Sequence, residues 1–115
     1  MLNWSDYRKK LARRIGEFGR LSPDTLKGYG TMAAANSQSG HLDAKTRELI
    51  SLAVAVTTRC DGCITVHTAD ALKAGATREE IAEALGVAVA MNAGAAMVYS
   101  ARVLDAVDAN QQASS

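Results

Sequence analysis

The chain has 115 residues, is 48% hydrophobic and carries a net charge of +1, which fits one compact domain with a modest core and excludes disordered and fibrous classes. No apolar run reaches the ~18 to 20 residues of a membrane span, and "MLNWSDYRKKLARR" lacks an apolar leader core, so a cytoplasmic protein with no membrane association is expected. Two cysteines three residues apart close almost no chain between them, so the sequence is not a secreted disulfide scaffold.

The charge is uneven along the chain. Met1 to Lys27 holds seven basic and three acidic residues, and the remainder six and nine. On a 3.6-residue period the first segment places Trp4, Tyr7, Leu11, Ile15 and Phe18 on one stripe, with Lys9, Arg13, Glu17 and Arg20 opposite. This predicts an amphipathic helix whose basic face meets water. No recognised nucleic-acid motif accompanies the charge, and nucleic acid is not an expected partner.

Ser22 followed by Pro23, the only proline, marks the start of a second helix, running through Leu26, Tyr29 and Met32 toward Asn36. "NSQSGH" then reads as a loop. Asp43 caps a third helix, "AKTRELISLAVAVTT", whose later part is apolar on nearly all sides and is expected to lie in a core or an oligomer interface. Glu48 is conspicuous on such a helix, because a carboxylate there is costly unless used.

Beyond the CDGC turn, "CITVHTADALKAG" reads as a fourth helix closed by Gly75. Thr77 and Glu80 form a capping box for a fifth helix carrying Ile81 and Leu85 inward. "MNAGAA" breaks the pattern, and a sixth helix follows with Met97, Ala101 and Leu104 on one stripe. Residues 109–115 form a polar tail expected to fray. The expectation is all-α, a single domain of about six helices, with no second domain and no repeat.

The chemistry concentrates in "RCDGCITVH". If Cys63 opens the fourth helix, His67 lies one turn along on the same face. The amides of that first turn would then point toward the Cys63 sulfur and favour its thiolate. Gly62 lets the turn be tight, and the C-x-x-C spacing lets the sulfurs reach each other, so that one oxidised sulfur can be resolved by the other. Glu48 is a candidate proton acceptor, directly or through His67. Its bland alternative is a structural partner for Arg47, Arg59 or a backbone amide. Cysteine, histidine and carboxylate are also zinc ligands, but a second C-x-x-C or an H-x-x-x-H is missing and His41 would have to be brought in by the fold. No metal and no cofactor are therefore expected.

The stretch "ELISLAVAVTTRCDGCITVH" resembles the core motif of the alkylhydroperoxidase D-like branch of the carboxymuconolactone decarboxylase family, E-x11-C-x-x-C-x-x-x-H. Glu48, Cys60, Cys63 and His67 occupy its four positions, and the likeness extends over residues 42–106. "MNAGAAMVY" departs from the glycine-rich turn that many relatives have after a methionine, a departure that bears on the pocket lining and the substrate. The resemblance implies an all-helical homo-oligomer, trimer or hexamer, that reduces hydroperoxides or a partner's disulfide with electrons from an external thiol. It also implies that Glu48 and His67 relay a proton, Cys63 attacks and Cys60 resolves. Two alternatives stand beside it: a lactone-decarboxylating lyase using His67 and Glu48 as acid and base, against which the cysteine pair argues, and a redox-sensing helical scaffold that does not turn over.

Overall fold

The computed structural model describes residues 1–114 and contains helices with no strand among them. The segments are α1 (Trp4–Leu21), α2 (Pro23–Ser39), α3 (Ala44–Thr58), α4 (Asp61–Lys73), α5 (Arg78–Tyr99) and α6 (Ala101–Ser114). Ser100, between the last two, is itself right-handed helical at φ −61°, ψ −24°. Residues 78–114 thus run as one 37-residue helix, giving five helices in six pieces.

Capping fixes most of these boundaries. Asn3 Oδ1 accepts the Asp6 amide at the head of α1, and Asp43 Oδ1 accepts the Thr46 amide at the head of α3. The Thr46 side chain first, and then this amide bond, hold the Asp43 carboxyl below its ordinary value. Thr77 and Glu80 make the reciprocal capping box of α5, satisfying two amides that the first turn leaves without partners. Gly75, at φ 88°, closes α4 in a Schellman arrangement: its amide donates to Leu72 and that of Ala76 to Ala71.

Three expectations are corrected. The expected loop at Asn36 is helical to Ser39, because hydroxyls of Ser37 and Ser39 donate back to Ala34 and Ala35 and the exit waits for Gly40 at φ 72°. "MNAGAA" does not break α5, where Asn92 instead spans from α5 to the Thr57 hydroxyl of α3 at 2.9 Å. The tail is helical through Ser114, with side chains of Asn110 and Ser114 donating to carbonyls one turn back, and Ser115 lies outside the described residues.

The core is small. Leu52 of α3, Ala71 of α4 and Ala76 pack with Leu49, Ile81 and Leu85 where α3 meets α4 and α5. Lys45 and Glu80 join the first turns of α3 and α5 at 2.8 Å, and that hydrogen bond raises the lysine and lowers the carboxylate relative to their ordinary values. The first helix lies on α2 and α4. Its apolar stripe is only partly covered: Trp4, Tyr7 and Leu11 are half-buried, whereas Ile15 and Phe18 stay exposed.

Nor is α3 buried on every face. Leu52 and Ala55 are covered, but Ile50 and Val54 are about half exposed, at 49% and 54%. No residue of α6 is buried. The radius of gyration is 19.6 Å, against roughly 13 Å for a compact chain near this length. The accessible surface of 9021 Å² likewise exceeds the about 6,000 Å² expected for a folded monomer of this mass. By length and composition the helix over 78–114 could also cross a membrane, a property hidden from the sequence reading by the break assumed at "MNAGAA".

Candidate redox site

The site is made by the turn from α3 into α4. Arg59 ends α3 in the left-handed conformation, φ 55°, ψ 49°, and the Cys60 amide donates to Ala55 at 3.0 Å. The reversal sets the head of α4 beside the last turn of α3. Cys60 then adopts extended backbone and takes the N-cap position of α4, its sulfur accepting the Cys63 amide at 3.1 Å. Both cysteines are half-buried and are joined as a disulfide.

This geometry corrects two expectations. The fourth helix begins at Asp61, not Cys63, so the third helical residue is Cys63 and the first-turn amide serves the Cys60 sulfur. Gly62 lies within the helix, and its value is space: a Cβ there would stand 2.8 Å from Leu11 Cδ2. A side chain there would require Leu11 of α1 to shift.

Glu48 and His67 meet across the packed pair of helices. Glu48 Oε2 lies 2.7 Å from His67 Nδ1, with the side chains 22% and 29% exposed. Glu48 is therefore partnered by neither Arg47, whose guanidinium donates to the Leu42 carbonyl, nor Arg59. His67 follows Cys63 by four residues, which puts both on one face of α4. The structure thus brings Cys60 to Cys63 at the head of α4, and Glu48 of α3 to His67 of α4. Neither sulfur hydrogen-bonds to the imidazole among the described residues; as a disulfide, neither carries a proton to share.

One member went unnoticed in sequence. Asp70 places a carboxylate oxygen within 4.8 Å of the ligand atoms of Glu48 and His67, and its spacing of three from His67 was the available signal. Glu48 and Asp70 line an open groove with Ala44, Lys73 and Ala74. His41 is elsewhere, lining a cleft with Asn36, Ser39 and Arg47.

Comparison with known proteins bears on the same region. The Carboxymuconolactone decarboxylase family model matches residues 23–106. An uncharacterized protein of Haemophilus influenzae is 49% identical over 104 residues, covering 90% of this chain and 92% of its own. Uncharacterized protein 4 in the cox locus of Paracoccus denitrificans is 35% identical over 99 residues, covering 86% and 89%. Among solved structures, an apo carboxymuconolactone decarboxylase family protein from Legionella pneumophila superposes with a TM-score of 0.73 at 38% identity, covering 91% of this chain and 94% of its own. A protein from Methanobacterium thermoautotrophicum gives 0.69 at 35% identity, covering 75% and 97%.

Proposed function

We propose that this chain, which belongs to the carboxymuconolactone decarboxylase family, is a thiol-dependent oxidoreductase that cycles Cys60 and Cys63 between dithiol and disulfide. The reading rests on one juxtaposition: a bonded cysteine pair at the head of α4, and one turn along that helix a histidine held by a carboxylate. A hydroperoxide is the oxidant. The Cys63 thiol gives its proton to His67, whose ring Glu48 orients, and the thiolate attacks the terminal peroxide oxygen. The O–O bond breaks, the alkoxide leaves with that proton as an alcohol, and Cys63 becomes a sulfenic acid. Cys60 then attacks the Cys63 sulfur, the hydroxyl leaves with the Cys60 proton as water, and the disulfide forms.

Two external thiols close the cycle, the first attacking Cys63 so that Cys60 departs as a thiolate accepting the Cys63 amide. A partner's disulfide can replace the peroxide in the oxidising half. No bound cofactor is needed for any of these steps, and a reducing compartment such as the cytoplasm supplies the thiols.

Mixing the reduced chain with one equivalent of hydrogen peroxide is expected to take its free thiols from two to none and its intact mass down by two hydrogen atoms. Thiols that survive would refute the reading. Lactone decarboxylation that persists in a Cys60→Ser, Cys63→Ser double variant would instead favour acid–base chemistry by His67 and Glu48.

The working form is a homo-oligomer, a trimer or hexamer. Ile50 and Val54 of α3 and Val87 and Met91 of α5 line a shallow apolar hollow on the outside of the chain. Alone, the chain exposes some 3,000 Å² beyond the scaling value for a compact monomer, an excess in the range that permanent assemblies bury. The same association gives the long apolar helix a protein environment rather than a lipid one. Light scattering at micromolar concentration is expected to return three or six chain masses, and a monomer would contradict this.

A further inference from the structure

We propose that Glu48, His67 and Asp70 form a binding site for one divalent transition-metal ion of the zinc class, and that the ion, when bound, suppresses the thiol chemistry. The second clause rests on the function proposed above; the first does not. One nitrogen and two carboxylate oxygens, all within 4.8 Å of one another, converge from two packed helices. His67 and Asp70 are three apart on α4, and Glu48 faces them from α3. An i, i+3 pair of ligands on one helix completed by a carboxylate from its neighbour is a known way to build metal sites between helices.

The donors also fit the ion. A neutral imidazole with two carboxylates supplies two negative charges, and imidazole with carboxylate suits zinc and its neighbours among the transition metals. Glu48 and His67 already face each other at 2.7 Å, so an ion that replaces the proton between them finds both side chains close at hand. Asp70 is exposed and must move inward to reach a ligand-to-metal distance of about 2.0 to 2.2 Å. The open groove lined by Glu48 and Asp70 also includes the small side chains of Ala44 and Ala74, and a water would complete the shell as fourth ligand.

Lys73 lines the same groove, and its charge opposes a cation. A metal on His67 Nδ1 occupies the position where the ring meets Glu48. With Nδ1 on the metal, the neutral ring keeps its proton on Nε2 and has no lone pair left to accept the Cys63 proton, so His67 ceases to serve as base.

The binding test uses zinc and the full-length oxidised protein, whose disulfide removes both thiolates as competing ligands. Calorimetry should give one zinc per chain, weakened about tenfold or more by Asp70→Asn and abolished by His67→Gln. Lys73→Met should tighten it. Cobalt(II) in the same site should show visible d–d bands without a thiolate charge-transfer band. The proposal is overturned if the oxidised chain takes up no zinc, or if Asp70→Asn binds as tightly as the parent with its helical spectrum intact. The inhibitory clause is read in Cys60→Ser as the ratio of Cys63 oxidation rates with and without zinc. That ratio should fall severalfold, and adding Asp70→Asn should restore it toward one. An unchanged ratio with zinc bound would sink inhibition alone, while absence of thiol oxidation even without zinc would count against the redox reading and leave the binding result standing.

Discussion

In a Cys60→Ser variant, hydrogen peroxide is expected to convert Cys63 to a sulfenic acid that a dimedone-type reagent traps. With no resolving thiol, the sulfenic acid should run on to the sulfinic state. In Cys63→Ser, labelling of Cys60 should be slower by at least about 100-fold, the lower end of what a positioned general base contributes. Both single variants should lose disulfide formation altogether. The two sulfurs differ in what the fold supplies to each. Cys60 sits at the N-cap and accepts the Cys63 amide at 3.1 Å, an interaction that stabilises a thiolate once formed. Cys63 lies one turn from His67, which is held by Glu48 and can remove a proton. Attack needs a base at the moment the thiol is spent, whereas resolution and departure need a stabilised thiolate, so Cys63 is expected in the first role and Cys60 in the second. Ready labelling of Cys60 with Cys63 silent would mean that the N-cap hydrogen bond outweighs the histidine, and the roles would reverse.

How much of this was legible depended on how local the cause was. Asp43, the Thr77 and Glu80 box, and Gly75 announce their helix ends because each acts within four residues, and all three stand in the structure as expected. Cys60, Cys63 and His67 were singled out because an i, i+4 spacing and a C-x-x-C pattern are helical geometry written in sequence, and Glu48 because a carboxylate is conspicuous on an apolar helix. The head of α4 was misplaced by a small margin with a large consequence. Cysteine is not a customary N-cap, so nothing local flagged Cys60 as one, and the shift to Asp61 moved the amide hydrogen bond from one sulfur to the other. The continuity of α5 was hidden for the opposite reason. Gly94 weakens a helix locally, but its position has open space around it, and the Asn92 bond to Thr57 comes from another helix. The Glu48 partner was likewise non-local, being 19 residues away. Asp70 escaped because a lone exposed aspartate acquires meaning only when α3 is set against α4.

Glu48→Gln and His67→Gln should each slow the first oxidation of Cys63 at neutral pH, His67→Gln by about 100-fold or more and Glu48→Gln by less. The order follows from position: His67 is the group one turn from the sulfur, and Glu48 acts on the sulfur only through it. The double variant should therefore be little slower than His67→Gln alone, since residues that act as one unit lose their effect once. The pH dependence separates this from damage to the fold. Below the ordinary thiol pKa of about 8.5 the thiol keeps its proton and a base is needed, so the variants are slow. As pH rises through that value hydroxide removes the proton, and variant and parent rates should converge. A loss of equal size from pH 6 to 10 would instead mean that the 2.7 Å contact merely braces α3 against α4. In that case the helical spectrum and thermal midpoint should fall together with the rate, whereas a relay predicts a slow enzyme whose helices remain in place.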